Sequence, residues 1–258
     1  MSHITSNWKE GIMNMYQTCI FDLYGTLVDI HTDENSDELW EKMALFYGFY
    51  GACYEGREMK AAYNAIVQKM EKGKEGIRRD SHESFPEIQI EDVFQKLFEV
   101  KGAAADRTLA VHAGQFFRVL SMEYIRLYEG TEDMLKALHS SGRKLYLLSN
   151  AQRIFTEYEM RALDIFKYFD AVYISSDYEF KKPDVRFFEK LLQDQNVDRS
   201  SAIMIGNDGI CDIRGAREAG LHTLYIHSNI SPQEPMPEAD YVLENMNMDQ
   251  VKDILLFK

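Results

Sequence analysis

The chain has 258 residues, 45% of them hydrophobic and 12% aromatic, with a formal net charge of −13. This suits one large domain, or a domain with a sizeable insertion, around a real core, and it excludes a disordered chain. The acidic balance argues against general binding to nucleic acid or to an anionic membrane, which need a positive field; an anionic substrate stays compatible where a cation reverses the field locally.

Residues 1–14 are polar, carry Trp8, Lys9 and Glu10, and lack the apolar run of a signal peptide, so they read as a leader. No stretch approaches the ~20 apolar residues that span a bilayer. Cys19, Cys53 and Cys211 are widely spaced and form neither a zinc pattern nor a disulfide framework, so a reducing cytoplasm is the expected location.

The first strong signal is Cys19-Ile20-Phe21-Asp22-Leu23-Tyr24-Gly25-Thr26: a short apolar strand, a carboxylate at its end, then a glycine turn with a hydroxyl. Such a carboxylate is rigid behind and open in front, which suits a nucleophile, although an ordinary Asx turn has the same look. Residues 29–37 read as an acidic linker. Helical periodicity then predicts helices over 37–50, 55–75, 89–101 and 106–128, a block of about a hundred residues with almost no strand signal. Trp40, Phe46, Tyr47 and Tyr54 read as the core of this block. Arg78 and Arg79 read as solvated charge in one of its loops, and His31 as a linker residue.

From residue 129 the pattern alternates. Helices are expected over 131–141, 153–163, 184–195, 213–219 and 248–256, with strands over 144–148, 171–174, 202–206, 221–226 and 241–243. Continuous apolar strands alternating with helices predict an α/β fold, a doubly wound parallel sheet covered on both faces. The predicted division is a leader (1–14), an α/β core (15–30 and 129–258) and an inserted helical cap (31–128). In such a sheet the carboxyl ends of the strands share one edge, where ligands bind. That edge should gather Asp22, Ser149-Asn150 and Asn207-Asp208, with the helical block as a lid above it.

These residues carry a resemblance to the haloacid dehalogenase-like (HAD) hydrolase superfamily, which consists mostly of phosphatases. Its first motif, Asp-x-Asp-Gly-Thr, stands here as Asp22-Leu23-Tyr24-Gly25-Thr26. The second is Ser149 after Leu147-Leu148. The third is Lys182 in Lys181-Lys182-Pro183-Asp184, and the fourth is Gly206-Asn207-Asp208-Gly209-Ile210-Cys211-Asp212. All four come in family order, over nearly all of residues 16–256. The resemblance implies a Rossmann-like core with a helical cap and a Mg²⁺-dependent hydrolase acting on a small phosphorylated molecule. Asp22 would form an aspartyl-phosphate; Asp22, the Tyr24 carbonyl and Asp208 would hold the metal. Thr26, Ser149 and Asn150 would bind the substrate, Lys182 would neutralise charge, and Asp212 would hold Lys182 or a metal-bound water. Asn207 competes with Asp208 for the metal position, Lys181 competes with Lys182, and Cys211 reads as packing.

The departure is Tyr24, where the phosphatases carry an acid–base Asp. A phenol with a pKa of about 10 is poorly matched to proton shuttling near pH 7. Asp-x-Tyr-Gly-Thr resembles the 2-haloacid dehalogenases, which attack carbon without a metal. Against that alternative stand the added acidity of Asp208 and Phe188, where those enzymes carry a Tyr. A third reading is a low-activity scaffold that binds a phosphorylated ligand or a protein. Nothing in the pattern specifies an oligomeric state.

Overall fold

A computed structural model describes residues 15–74, 86–178, 180–233 and 235–258. The leader reading of residues 1–14 and the surface-charge reading of Arg78 and Arg79 lie outside the described residues.

Six strands form one parallel sheet. β1 (Thr18–Phe21), β4 (Lys144–Ser149), β5 (Ala171–Ile174), β6 (Ala202–Gly206), β7 (His222–Ile226) and β8 (Tyr241–Leu243) lie in the order β5-β4-β1-β6-β7-β8. β1 is central, with Cys19 level with Leu145 on one side and Ile203 on the other. Strand side chains alternate between faces, and here both faces are covered. Phe21, Leu147 and Ile205 pack with Leu135 of α5 (Thr131–Ser140) and Val251 of α9 (Met248–Phe257). Ile20, Leu148 and Met204 pack with Phe187 and Leu191 of α7 (Val185–Asp194) and Ala216 of α8 (Gly215–Glu218). This two-sided burial is why the strands read as continuous apolar runs.

The inserted block contains α1 (Asp37–Gly48), α2 (Gly56–Lys74), α3 (Ile90–Val100) and α4 (Arg107–Ser121). It has its own core, with Trp40 and Tyr47 buried and Phe46 and Tyr54 packed against it, as expected of those aromatics. It also touches the sheet layer. The Ile90 N–H donates to Gln152 Oε1, and Arg118 of α4 pairs with Glu159 of α6 (Arg153–Ala162).

Three local expectations are corrected. The linker expected over 29–37 contains β2 (Val28–Thr32), and the helix expected over 106–128 stops at Ser121 and continues as β3 (Met122–Leu127). β2 and β3 pair antiparallel, Ile30 opposite Ile125. The two crossings of the chain satisfy each other's backbone groups, a pairing between segments about a hundred residues apart that local periodicity does not carry. His31 lies on this ribbon, exposed and 3.1 Å from Glu123. The helix expected over 213–219 begins earlier, as a wide turn over Gly209–Arg214 ahead of α8.

Candidate active site

The carboxyl ends of β1, β4 and β6 meet as the parallel sheet requires, and Asp22 stands among them, 7% exposed. Its main-chain N–H donates to Ile205 O, which continues the β1–β6 ladder one residue beyond the strand. Oδ1 of Asp22 accepts from Lys182 Nζ at 2.8 Å and from Ser149 Oγ at 3.1 Å. Thr26 Oγ1 lies 3.4 Å from Asp22 Oδ2 and donates to Asn207 Oδ1 at 3.2 Å. Side chains from three separate segments, around Thr26, Ser149 and Lys182, thus converge on one carboxylate.

Lys182 is fully buried, 2% exposed, and bridges Asp22 to Asp212, with Nζ 2.6 Å from Asp212 Oδ1. Burial alone would lower its pKa, but the two carboxylates outweigh burial and raise it above the usual lysine value, so the ammonium is kept. Burial pushes the Asp212 carboxyl upward, and Lys182 pulls it back. Oδ2 of Asp212 accepts the Asp208 N–H at 3.0 Å, so this acid ties the lysine to the turn after β6. Of the neighbouring lysines, Lys182 is the one that enters the cavity, and Lys181 does not line it.

Asn150, expected to bind substrate, has a structural part as well. Its Nδ2 donates to Lys182 O at 2.9 Å and its Oδ1 accepts the Lys182 N–H at 2.8 Å. The amide grips the lysine's main chain on both sides and acts as a support for Lys182, although Asn150 still lines the cavity. Asp208 lines the cavity and also caps the following turn: its Oδ1 accepts the N–H groups of Ile210 and Cys211 at 2.8 and 2.7 Å. Asn207, 5% exposed, also donates from Nδ2 to Ser228 and Ser231, both at 3.4 Å. Cys211 also lines the cavity, and burial holds its thiol up at about 12, unreactive as a nucleophile at neutral pH.

Tyr24 lines the cavity, but its hydroxyl is directed elsewhere. It donates to Glu159 Oε2 at 2.5 Å and lies 3.1 Å from Thr156 Oγ1. Glu159 is held in turn by Arg118, with Nε to Oε1 at 2.7 Å and Nη2 to Oε2 at 3.1 Å. Burial pushes the phenol far above its ordinary value and the Glu159 carboxylate adds to the rise, while Arg118 opposes it. The phenol is therefore neutral and committed to α6. Sequence reasoning missed Thr156, Glu159 and Arg118, because no local pattern marks which face of α6 meets the nucleophile loop.

Gly25 has φ +84°, a left-handed conformation, and a Cβ there would lie 2.3 Å from Asn207 Nδ2. A Gly25→Ala variant is expected to lose about 1–2 kcal/mol from backbone strain. Displacement of Asn207 should further lower kcat/KM about 10²-fold. A thermal melt and a turnover assay on the same preparation check both effects.

The cavity measures about 200 Å³ and is walled by Asp22, Tyr24, Ser149, Asn150, Lys182, Asn207, Asp208, Cys211, Asp212, Ile230 and Pro232. Ile230 and Pro232 were also missed. They follow β7, whose carboxyl end lies beside β6 on the same edge, so the strand-end argument applied to β7 would have found them. Three carboxylates face one ammonium here, a negative balance that disfavours an anion on its own. The oxygen donors suit a hard divalent cation: Asp22 Oδ2, the carboxylate of Asp208, and the Tyr24 carbonyl, which meets no backbone donor among the described residues. Among the described residues no three His, Cys, Asp or Glu side chains form a metal-binding group by themselves, so such a set depends on that carbonyl.

Comparison with known proteins gives a consistent result. The family model described as haloacid dehalogenase-like hydrolase matches residues 16–220. A glyceraldehyde 3-phosphate phosphatase of Methanothermobacter thermautotrophicus is 30% identical over 52% of this chain, which spans 58% of that protein's length. Two solved structures share the fold. The putative HAD-hydrolase YfnB of Bacillus subtilis, bound to magnesium, superposes with TM-score 0.54 and 23% identity over 93% of this chain and 98% of its own. The 2-haloacid dehalogenase of Pseudomonas syringae superposes with TM-score 0.62 and 19% identity over 93% and 98%.

Proposed function

The chain belongs to the haloacid dehalogenase-like hydrolase family, and from that premise we propose that it is a Mg²⁺-dependent phosphatase of a small phosphorylated metabolite, with Asp22 as nucleophile. The observation that carries the reading is the buried lysine between two carboxylates, 2.8 Å from Asp22 and 2.6 Å from Asp212, beside a serine hydroxyl also on Asp22. The 30% identity to a glyceraldehyde 3-phosphate phosphatase supports a phosphorylated substrate.

The chemistry follows from these positions. Asp22 is held in one orientation by Lys182 and Ser149, which lowers the reorganisation needed for attack on phosphorus. Attack forms an Asp22–O–P bond as the bond from phosphorus to the ester oxygen breaks; that oxygen leaves with the electron pair and takes a proton from solvent. Water then attacks phosphorus, breaking the bond to the Asp22 oxygen and releasing phosphate, a proton and the free carboxylate. Lys182 offsets the repulsion between carboxylate and phosphate, and Ser149, which lines the cavity, offers its hydroxyl to a phosphoryl oxygen. Thr26, buried and donating to Asn207, supports the site from behind the cavity wall. Asp22, the Tyr24 carbonyl and Asp208 would hold Mg²⁺, which supplies the positive charge that the three carboxylates of the cavity otherwise lack.

Because the Tyr24 hydroxyl is bonded to Glu159, it is not the proton donor to the leaving oxygen. A Tyr24→Phe variant should therefore change aryl phosphate turnover by less than about fivefold, whereas loss of a general acid typically costs ~10²–10⁴-fold. Steady-state rates for the two proteins decide this.

One observation favours carbon attack with halide release: a halide needs no proton, and the Tyr24 hydroxyl offers none to the cavity. The surplus of carboxylates weighs against it, since a 2-haloacid is itself an anion. Purified protein assayed with phenyl phosphate and with 2-chloropropionate, with and without Mg²⁺, separates the readings. Mg²⁺-dependent phosphate release is expected. Chloride release indifferent to a chelator would establish the dehalogenase instead, and tight phosphate binding without turnover would establish a binding scaffold.

A further inference from the structure

The polar floor of the cavity accounts for a phosphoryl group, but its mouth does not resemble its floor. Ile230, the most exposed residue of the cavity wall, and the half-buried Pro232 mark that rim, both from the segment after β7, and among the described residues no side chain of the helical layer lines the cavity. Single exposed apolar residues are common and need no explanation. Ile230, 37% exposed, differs in being held at both flanks. On one side Asn229 donates from Nδ2 to Asp29 Oδ1 at 3.0 Å and accepts from the Tyr128 hydroxyl at 2.6 Å. Asp29 is buried and itself clamped by Arg126 at 2.9 and 2.7 Å, which fixes the anchor to the β2–β3 ribbon. On the other side Ser231 Oγ accepts the Ser228 N–H at 3.0 Å, and the Ser231 N–H returns to Ser228 O at 3.2 Å. Both serine hydroxyls meet Asn207, which touches Thr26 next to the nucleophile. The turn therefore presents one aliphatic side chain, at a set height, over a polar floor.

We propose that Ile230 is the specificity-determining contact for the organic part of the substrate, and that the substrate is a phosphate monoester with a compact apolar group next to its ester oxygen. This rests on the phosphatase reading above and deepens it. The phosphoryl group binds the floor, so the rest of the substrate must leave past the mouth, where Ile230 and Pro232 offer apolar surface. A cavity of about 200 Å³ lies below the ~300–1,000 Å³ of drug-sized sites and suits a small ester. An aliphatic contact favours an apolar neighbour over a hydroxylated one by roughly one order of magnitude or more.

The test uses the full chain with Mg²⁺, phenyl phosphate, glycerol 3-phosphate and inorganic phosphate. For Ile230→Ser, KM for phenyl phosphate should rise about tenfold with kcat within about twofold, on the scale of one lost apolar contact. KM for glycerol 3-phosphate and the inhibition constant of inorganic phosphate should stay unchanged, and Ile230→Leu should restore the wild-type KM. The intrinsic reactivity of each leaving group cancels when variant and wild type are compared on the same ester. Unchanged KM for phenyl phosphate in Ile230→Ser, with the wild type active, would overturn the role of Ile230 alone. An equal shift for inorganic phosphate would also overturn it, since the change would then lie in the floor. A wild type inactive on both esters would overturn the phosphatase reading and this inference with it.

Discussion

Asp22→Asn is expected to abolish turnover, lowering kcat by at least about 10⁴-fold, because the amide cannot form the covalent intermediate and the residues around it act as a unit. The substitution is nearly isosteric, and Asn retains an oxygen to accept from Lys182 and Ser149, so the fold should survive. It also removes one of the three carboxylates facing the cavity. Inorganic phosphate should then bind more tightly than to the wild type, as a negative charge beside the anion is gone. Calorimetric titration with phosphate in Mg²⁺ therefore carries the opposite sign to the activity assay. An Asp22→Asn protein that retained even one hundredth of the wild-type rate would remove Asp22 from the chemistry.

Lys182→Ala is expected to be the most destabilising of the substitutions at the site. Lys182 is buried and pairs with Asp22 and Asp212, both also buried. Its loss leaves two carboxylates close together with no cation, and breaking a buried pair in this way costs about 3–5 kcal/mol. For a chain of this size, 1 kcal/mol shifts Tm by about 2–4 °C, so a fall on the order of 10 °C is expected. The pH dependence has a definite sign. Burial already pushes Asp212 upward, and the lysine that opposes this is gone, so its folded pKa stands above its unfolded value. The folded variant then binds more protons than the unfolded one, and stability rises as pH falls from 7 towards 5. In the wild type, the raised pKa of Lys182 contributes stability that is fully present below the unfolded lysine value and is lost as pH rises through the folded one. Melting curves of the variant between pH 5 and 8 test the Asp212 part, and curves of the wild type above about pH 10 test the lysine part; a variant that melts lower in acid would contradict the charge arrangement. Turnover should fall by a factor comparable to that of Asp22→Asn, since the attacking carboxylate loses its counter-charge.

The sequence by itself determined the α/β class and the group at the sheet edge. Strand burial on both faces leaves unbroken apolar runs, and a parallel sheet must bring strand ends to one side. Asp22, Ser149-Asn150 and Asn207-Asp208 were legible for that reason, each at a strand end, whereas Lys182 and Asp212 lie farther along the chain and were legible only through the family resemblance. What only the tertiary structure decided concerns contacts between segments with no shared period. The β2–β3 ribbon joins residues about a hundred positions apart, so one half reads as linker and the other as helix. Asn150 reads from the sequence as a substrate ligand, and only the structure shows its amide also gripping the Lys182 main chain. Tyr24 reads as a missing acid, yet its hydroxyl belongs to Glu159 and Arg118, whose approach depends on how the helical layer docks on α6. Periodicity records which face of an element is buried. It carries no information on which distant side chain meets that face, because hydrogen-bond partners are chosen by packing in three dimensions.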